Sequence, residues 1–173
     1  PDIMVMGKGI NNVYSAFGAI GVSDEIHEIL KGKPYALSST GPGTLISHAS
    51  GLASMRIYVR DKIAEHVAEL GNHVKNRLIK EFLPLPHVGT VSGLGLMQAI
   101  EIVADKETKR RFPSERDITH KELMPKCHER GIIPRFYRNP HHDRIAFAPP
   151  LIITKEQADK ALDILLSVLV ELK

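Results

Sequence analysis

PDIMVMGKGINN, residues 1–12, begins with a short apolar run, Asp2 to Met6, long enough for a buried strand. Gly7-Lys8-Gly9 ends that run abruptly, and Asn11-Asn12 follow as turn formers. A lysine between two glycines at a strand end sits where the backbone can bend sharply and a ligand can approach closely. A lysine there is suited to condensing with a carbonyl compound, and Lys8 is the first candidate functional residue. A buried strand needs neighbours on both sides, and almost nothing precedes this one. The expectation is therefore a piece of a longer or split polypeptide.

Moving outward, Ala16 to Val22 (AFGAIGV) reads as a second buried strand. Ser23 is an N-cap with Asp24 and Glu25 in the first turn of a short helix, which Gly32 and Pro34 stop. Residues 36–46 (ALSSTGPGTLI) form a loop rich in hydroxyls and glycine, a composition that offers donors to anions. Helical pattern starts at Ser47, and Asp61 marks a break. Ile63, Val67, Leu70, Val74 and Leu78 then define an amphipathic helix ended by Pro84 and Pro86. Residues 88–103 (VGTVSGLGLMQAIEIV) read as two strands around Ser92-Gly93-Leu94-Gly95. Thr119-x-x-Glu122 and Thr154-x-x-Gln157 are capping boxes opening two further helices. Ile132 to Phe136 and Arg144 to Ala148 are short strands, with a turn over residues 139–143 between them. Ala158, Ala161, Leu162, Leu165, Leu169 and Leu172 line one face of the last helix. The pattern is α/β throughout. The sequence boundary falls between residues 83 and 84: residues 1–83 hold the lysine strand, the polar loop and the long helix, and residues 84–173 form a small α/β unit whose mostly antiparallel sheet carries helices on one face.

Composition restricts the function classes. With 43% hydrophobic and 25% charged residues, the chain is that of an ordinary soluble globular protein. A net charge of +3 is too small to argue for nucleic acid, and the basic cluster Lys106 to Arg111 reads as a solvated loop. One cysteine, Cys127, rules out an internal disulfide and points to a reducing, cytoplasmic setting. No apolar run approaches the ~20 residues of a membrane helix, and no signal peptide opens the chain. His141-His142 in a turn have no nearby ligand set, so no metal site is expected.

Six motifs in order, PDIMVMGKGI, GAIGVSDEI, TLISH (44–48), VSGLGLMQAIEIV, GIIPR (131–135) and IAFAPPLIITKEQAD (145–159), resemble the class III pyridoxal-phosphate-dependent aminotransferases nearly end to end. The resemblance implies the end of a fold-type-I large domain followed by the small C-terminal domain. It implies pyridoxal 5'-phosphate as cofactor and Lys8 as the Schiff-base lysine. Thr44 matches the threonine that binds the cofactor phosphate, usually in the neighbouring subunit's site. Arg135 matches an arginine that pairs with the substrate carboxylate in the ω-amino-acid branch, where a bidentate guanidinium suits a carboxylate. The chain departs from the family pattern at Ser92, where an arginine is frequent, and at Asn11-Asn12-Val13.

In this family the glycine-containing phosphate loop, the aromatic that stacks on the pyridine ring and the aspartate that pairs with its nitrogen all lie upstream of the lysine. The resemblance therefore implies the C-terminal portion of an aminotransferase moving an amino group from an amine or ω-amino acid to a 2-oxo acid. Activity is expected to need the N-terminal half, as a separate chain or upstream segment, within a homodimer or hetero-assembly. The competing expectation is a non-catalytic module that folds and dimerises without the cofactor.

Overall fold

A computed structural model describes residues 1–34, 43–138 and 142–173. Most of the hydroxyl-rich loop and most of the turn over residues 139–143, read above from sequence, lie outside the described residues. The chain packs as two compact units, Pro1–Ile63 and Ala64–Lys173.

In the first unit, strands β1 (Ile3–Gly7) and β2 (Gly18–Val22) pair antiparallel, from Ile3 opposite Val22 to Gly7 opposite Gly18. A 3-10 turn, Lys8–Asn11, leaves β1. Helix α1 (Asp24–Leu30) follows, with the Ser23 hydroxyl accepting from the Ile26 amide as expected. Helix α2 spans Leu45–Arg60, capped by Thr44 and ended at Asp61. It therefore starts slightly before the sequence pattern indicated, because the Thr44 hydroxyl takes the cap. The expectation of buried strands is corrected here. Among the described residues β1 and β2 bond only to each other, and a two-stranded ribbon has no second layer of its own, so Ile3, Met4, Val5 and Ile20 are exposed.

In the second unit, helix α3 (Ile63–Arg77) runs into a π-helical turn, Leu78–Phe82. Its stripe of Leu70, Val74, Leu78 and Phe82 enters one buried cluster with the sheet and the last helix. The sheet has the order β3-β4-β6-β5, antiparallel throughout: β3 (Val88–Leu94), β4 (Met97–Ile102), β5 (Arg135–Arg138) and β6 (Asp143–Phe147). One ladder row, Val91–Ile100–Ile145–Phe136, faces the core, with Ile100 and Ile145 fully buried. The adjacent row, Ser92–Ala99–Ala146–Arg135, belongs to the opposite face because side chains alternate along a strand. Helix α4 (Met124–Glu129) and helix α5 (Lys155–Val170) complete the unit. This is the α/β architecture expected of the C-terminal region.

The two capping boxes differ. At Thr154 both halves form: its hydroxyl accepts from the Gln157 amide (3.2 Å) and Gln157 Oε1 accepts from the Thr154 amide (3.0 Å). The Thr119 box does not form. Helix opens one residue earlier, at Ile118, after left-handed Asp117; Thr119 is buried inside the turn, and Glu122 instead takes a two-point ion pair from Arg116 (2.6 and 3.0 Å). The basic cluster is not a free solvated loop either. Lys106 Nζ donates to the carbonyls of Leu83 and Leu85, Lys109 Nζ to that of Gly89, and Arg111 to both oxygens of buried Asp143 (3.1 Å each). Backbone carbonyls at the end of α3's turn and in β3 need donors, and these side chains reach them.

α3 meets the β3–β4 hairpin backbone to backbone. A Cβ on Gly71 would lie 2.3 Å from Gly95 Cα, and one on Gly95 would lie 2.8 Å from Val67 Cγ1. Gly95 is also left-handed, with φ +55°. On the other side α3 is tied to α5 by Arg77, which donates to Glu81 (2.8 Å), Asp159 (3.1 Å) and Asp163 (2.7 Å). His73 Nε2 donates to Asp159 Oδ1 (2.6 Å). Burial pushes the Asp159 carboxyl up, but the His73 and Arg77 hydrogen bonds outweigh it and hold it at about 2.

Gly71→Ala should therefore cost about 2 kcal/mol or more in urea unfolding, since only backbone can move out of the way. A carboxyl held below its ordinary value stabilises the fold above about pH 4 and loses that contribution as pH falls through its folded value. Unfolding of the chain at pH 7, 4 and 3 should show the loss in the wild type, and Asp159→Asn should be about 1–2 kcal/mol less stable at pH 7 with a flatter acid limb.

Candidate functional site

The sequence-predicted residues fall in both units: Lys8 and Thr44 in the first, Arg135 in the second. The bend after β1 is carried by Lys8 itself, with φ +51°; Gly7 is extended (φ −161°), and Gly9 is not left-handed. Asn12 (φ +55°) and Val13 (φ +62°) are also left-handed. Three non-glycine residues in this region within six positions store local strain, which persists only where the surroundings hold it.

Asn11 is what holds it. It is 1% exposed. Its two Nδ2 protons are shared among Ser15 O (2.9 Å), Ser15 Oγ (3.0 Å) and Ser50 Oγ (3.3 Å), and its Oδ1 accepts from the Val13 amide (3.2 Å). Tyr58 Oη donates to the Gly9 carbonyl. The Lys8 turn is thus fastened to α2 at Ser50 and Tyr58. Lys8 itself is exposed, and its ammonium has no hydrogen-bond or ion-pair partner among the described residues.

The polar chain continues to Thr44. Ser50 Oγ donates to Ser47 O (3.0 Å), so its single proton is spent and Ser15 Oγ must donate to it (3.1 Å). Ser47 Oγ donates to Ala16 O (2.8 Å), so in the 2.9 Å Ser47–Thr44 hydroxyl pair Thr44 is the donor. Thr44 Oγ1 also accepts from the Ser47 amide (3.2 Å). The first α2 amide bonded to a helix-start carbonyl is that of His48, to Thr44 O (3.1 Å), and among the described residues the Leu45 and Ile46 amides at the helix's positive end have no acceptor. Gly43 precedes the cap at φ +81°, and a Cβ there would lie 2.1 Å from His48 Cε1.

Among the described residues, Lys8 offers an unpartnered amine suited to an aldehyde, and separately the α2 N-terminus offers amides beside a hydroxyl suited to a phosphate. Asn11, Ser47, Ser50 and Tyr58 were missed from sequence. Asn11 read as a turn former, and only the Ser47-x-x-Ser50 spacing, which places both hydroxyls on one helix side, hinted at the link.

In the second unit Arg135 opens β5, with Ala146 as its register partner. Its Cζ lies 4.7 Å from the centroid of the Tyr137 ring, and it has no carboxylate partner among the described residues, whereas Arg77, Arg111, Arg116, Arg130 and Arg138 all do. Arg135 borders a cleft of about 500 Å³ with Ile132, Pro134, Tyr137, Ala146 and Pro149. An apolar cleft with one unpaired guanidinium can take a small molecule bearing a carboxylate. Among the described residues no cluster of His, Cys, Asp or Glu could hold a metal ion, and no helix is long and apolar enough to cross a membrane.

Comparison with known proteins identifies the family. The model of the class-III aminotransferase family matches residues 1–169. The chain is 32% identical to an aminotransferase of Sinorhizobium fredii, over 92% of this chain and 35% of that protein. It is 30% identical to the diaminobutyrate–2-oxoglutarate transaminase of Halomonas elongata, over 92% of this chain and 34% of that one. Among solved structures, an (S)-enantioselective omega-transaminase from Thermomicrobium roseum superposes with a TM-score of 0.82 at 34% identity, covering 98% of this chain and 37% of that one. The chain spans just over a third of the length of these relatives, matching their C-terminal part. An amine-bearing turn at a strand end, a hydroxyl-capped helix start and this end-to-end match lead to one assignment: the chain belongs to the class III aminotransferases, a pyridoxal-phosphate-dependent family.

Proposed function

We propose that this chain is the C-terminal portion of an aminotransferase that moves an amino group from an amine or ω-amino acid to a 2-oxo acid, with Lys8 holding pyridoxal phosphate. The observation that carries the reading is the unpartnered ammonium of Lys8 on a strained turn that Asn11 pins to α2. Bound pyridoxal phosphate supplies an electron sink that lets the C–H bond beside the substrate nitrogen ionise. Lys8 Nζ carries the proton taken from that carbon, acting as base and then as acid. The Leu45 and Ile46 amides at the start of α2 would offer donors to a cofactor phosphate, in the neighbouring subunit's site if the family pattern holds. Thr44 would join them as a hydroxyl donor only by giving up its hydrogen bond to Ser47 Oγ. Arg135 orients a substrate carboxylate by two parallel N–H donors.

The reading also requires an assembly, with an N-terminal segment or partner chain and a second copy. Exposed apolar side chains support this: Val5 (78%), Leu45 (91%) and Val59 (80%) all belong to the unit that carries Lys8 and Thr44. A single cysteine, Cys127, which leaves no internal disulfide to form, supports a reducing, cytoplasmic setting.

Incubation with pyridoxal phosphate followed by borohydride reduction and peptide mapping tests the assignment. The cofactor's mass should be fixed on the peptide containing Lys8 and be lost from it in Lys8→Ala. A folded, self-associating chain that takes up no label at Lys8, alone or with an N-terminal half, would establish the non-catalytic module instead. Asn11→Ala should remove about 1–3 kcal/mol from the local stability of the turn, read as faster hydrogen exchange at the Val13 and Tyr14 amides, and should slow labelling of Lys8.

A further inference from the structure

The cleft beside Arg135 holds its cation in an unusual way. Most arginines of this unit are fixed by carboxylates: Arg138, three residues on in the same strand, reaches Asp117 and approaches Asp143 Nε-to-Oδ1 at 3.8 Å. Arg135 has instead the Tyr137 ring, 4.7 Å from its Cζ. Residues two apart on a strand share a face, so the stacking follows from the β5 backbone. Across the ladder Ala146 faces Arg135, and this short side chain leaves the guanidinium's other flank open to the cleft, which Ala146 also lines. Arg144, exposed and opposite Tyr137, adds positive field on the same face, and the carboxylate of that row, Glu101, lies on the far side of Arg144, two strands from β5.

We propose that Tyr137 is a positioning residue: its ring fixes the Arg135 guanidinium across the cleft mouth, so that the N–H edge is presented to the carboxylate of a small amino-acid substrate. A ring serves where an acidic partner would not, because it restrains a cation without occupying its hydrogen-bond donors. An aspartate at the same place would hold Arg135 equally well and would neutralise it toward substrate. The Tyr137 hydroxyl has no part in this, so the role belongs to the ring face. The inference rests on Arg135 receiving a carboxylate, as proposed above.

The test uses the ¹⁵N-labelled chain assembled with its N-terminal half and free of cofactor, with 4-aminobutyrate as probe and butylamine as its carboxylate-free counterpart. The Arg135 Nε–Hε resonance, assigned by its loss in Arg135→Lys, should be ring-current shifted and should move with 4-aminobutyrate but not with butylamine. Tyr137→Leu should abolish the ring-current shift and weaken 4-aminobutyrate binding about fivefold or more, while Tyr137→Phe keeps both. Tyr137→Thr is the second variant, and the amide spectrum of β5 and β6 reports that the strands stay paired. Wild-type affinity in the folded Leu and Thr variants, with binding still lost in Arg135→Lys, would overturn the positioning role and leave the carboxylate site standing. No response in the wild type, or full binding by Arg135→Lys, would overturn the carboxylate site and the inference with it.

Discussion

The backbone of α3 lies directly on the turn of the β3–β4 hairpin, with no side chain between Gly71 and Gly95. That contact fixes how near the helix stands to the sheet, and hence which sheet residues meet the stripe of Leu70, Val74, Leu78 and Phe82. Once Val91, Ile100, Ile145 and Phe136 face the core, the neighbouring row must face away. Arg135 and Tyr137 are on that outer side for no reason of their own. A one-residue slip of β5 against β6 would send the guanidinium into the apolar cluster, so the large penalty for burying a charge protects the register.

The two units solve the problem of rigidity with different chemistry. The second has a continuous apolar core and a charged strap from Arg77 to α5. The first has little apolar burial and relies on a relay of amide and hydroxyl groups from Asn11 to Thr44. Such a relay is directional. Each serine has one proton, and spending it on a backbone carbonyl determines which neighbour must donate next. The orientation at the Thr44 cap is in this sense set from Ala16 and Ser47.

Elements with strong periodicity or punctuation were legible in the sequence: the α3 stripe ended by Pro84, the Ser23 cap, the Thr154–Gln157 box, the paired strands around Gly95 and the face of α5. What was not legible depended on partners distant in sequence. Thr119-x-x-Glu122 satisfies the local pattern of a capping box, but Arg116 offers Glu122 a stronger partner, and the helix starts elsewhere. The apolar runs at Ile3 and Ile20 look like buried strands because apolar content reports a tendency to be covered, not whether the described residues cover it. Asn11 reads as a turn residue by type; its burial depends on Ser15 and Ser50, which composition cannot pair.

Residue 8 brings two demands into conflict. Its backbone occupies the left-handed region, which costs a lysine roughly 1 kcal/mol and costs glycine nothing. The flanking positions, where glycine is present, do not use that freedom. A sequence optimised for durability alone would place glycine at position 8, and the amine would vanish. Backbone ease and the side chain's amine thus pull residue 8 in opposite directions, and a substitution there will report a change in folding energy as well as a lost amine.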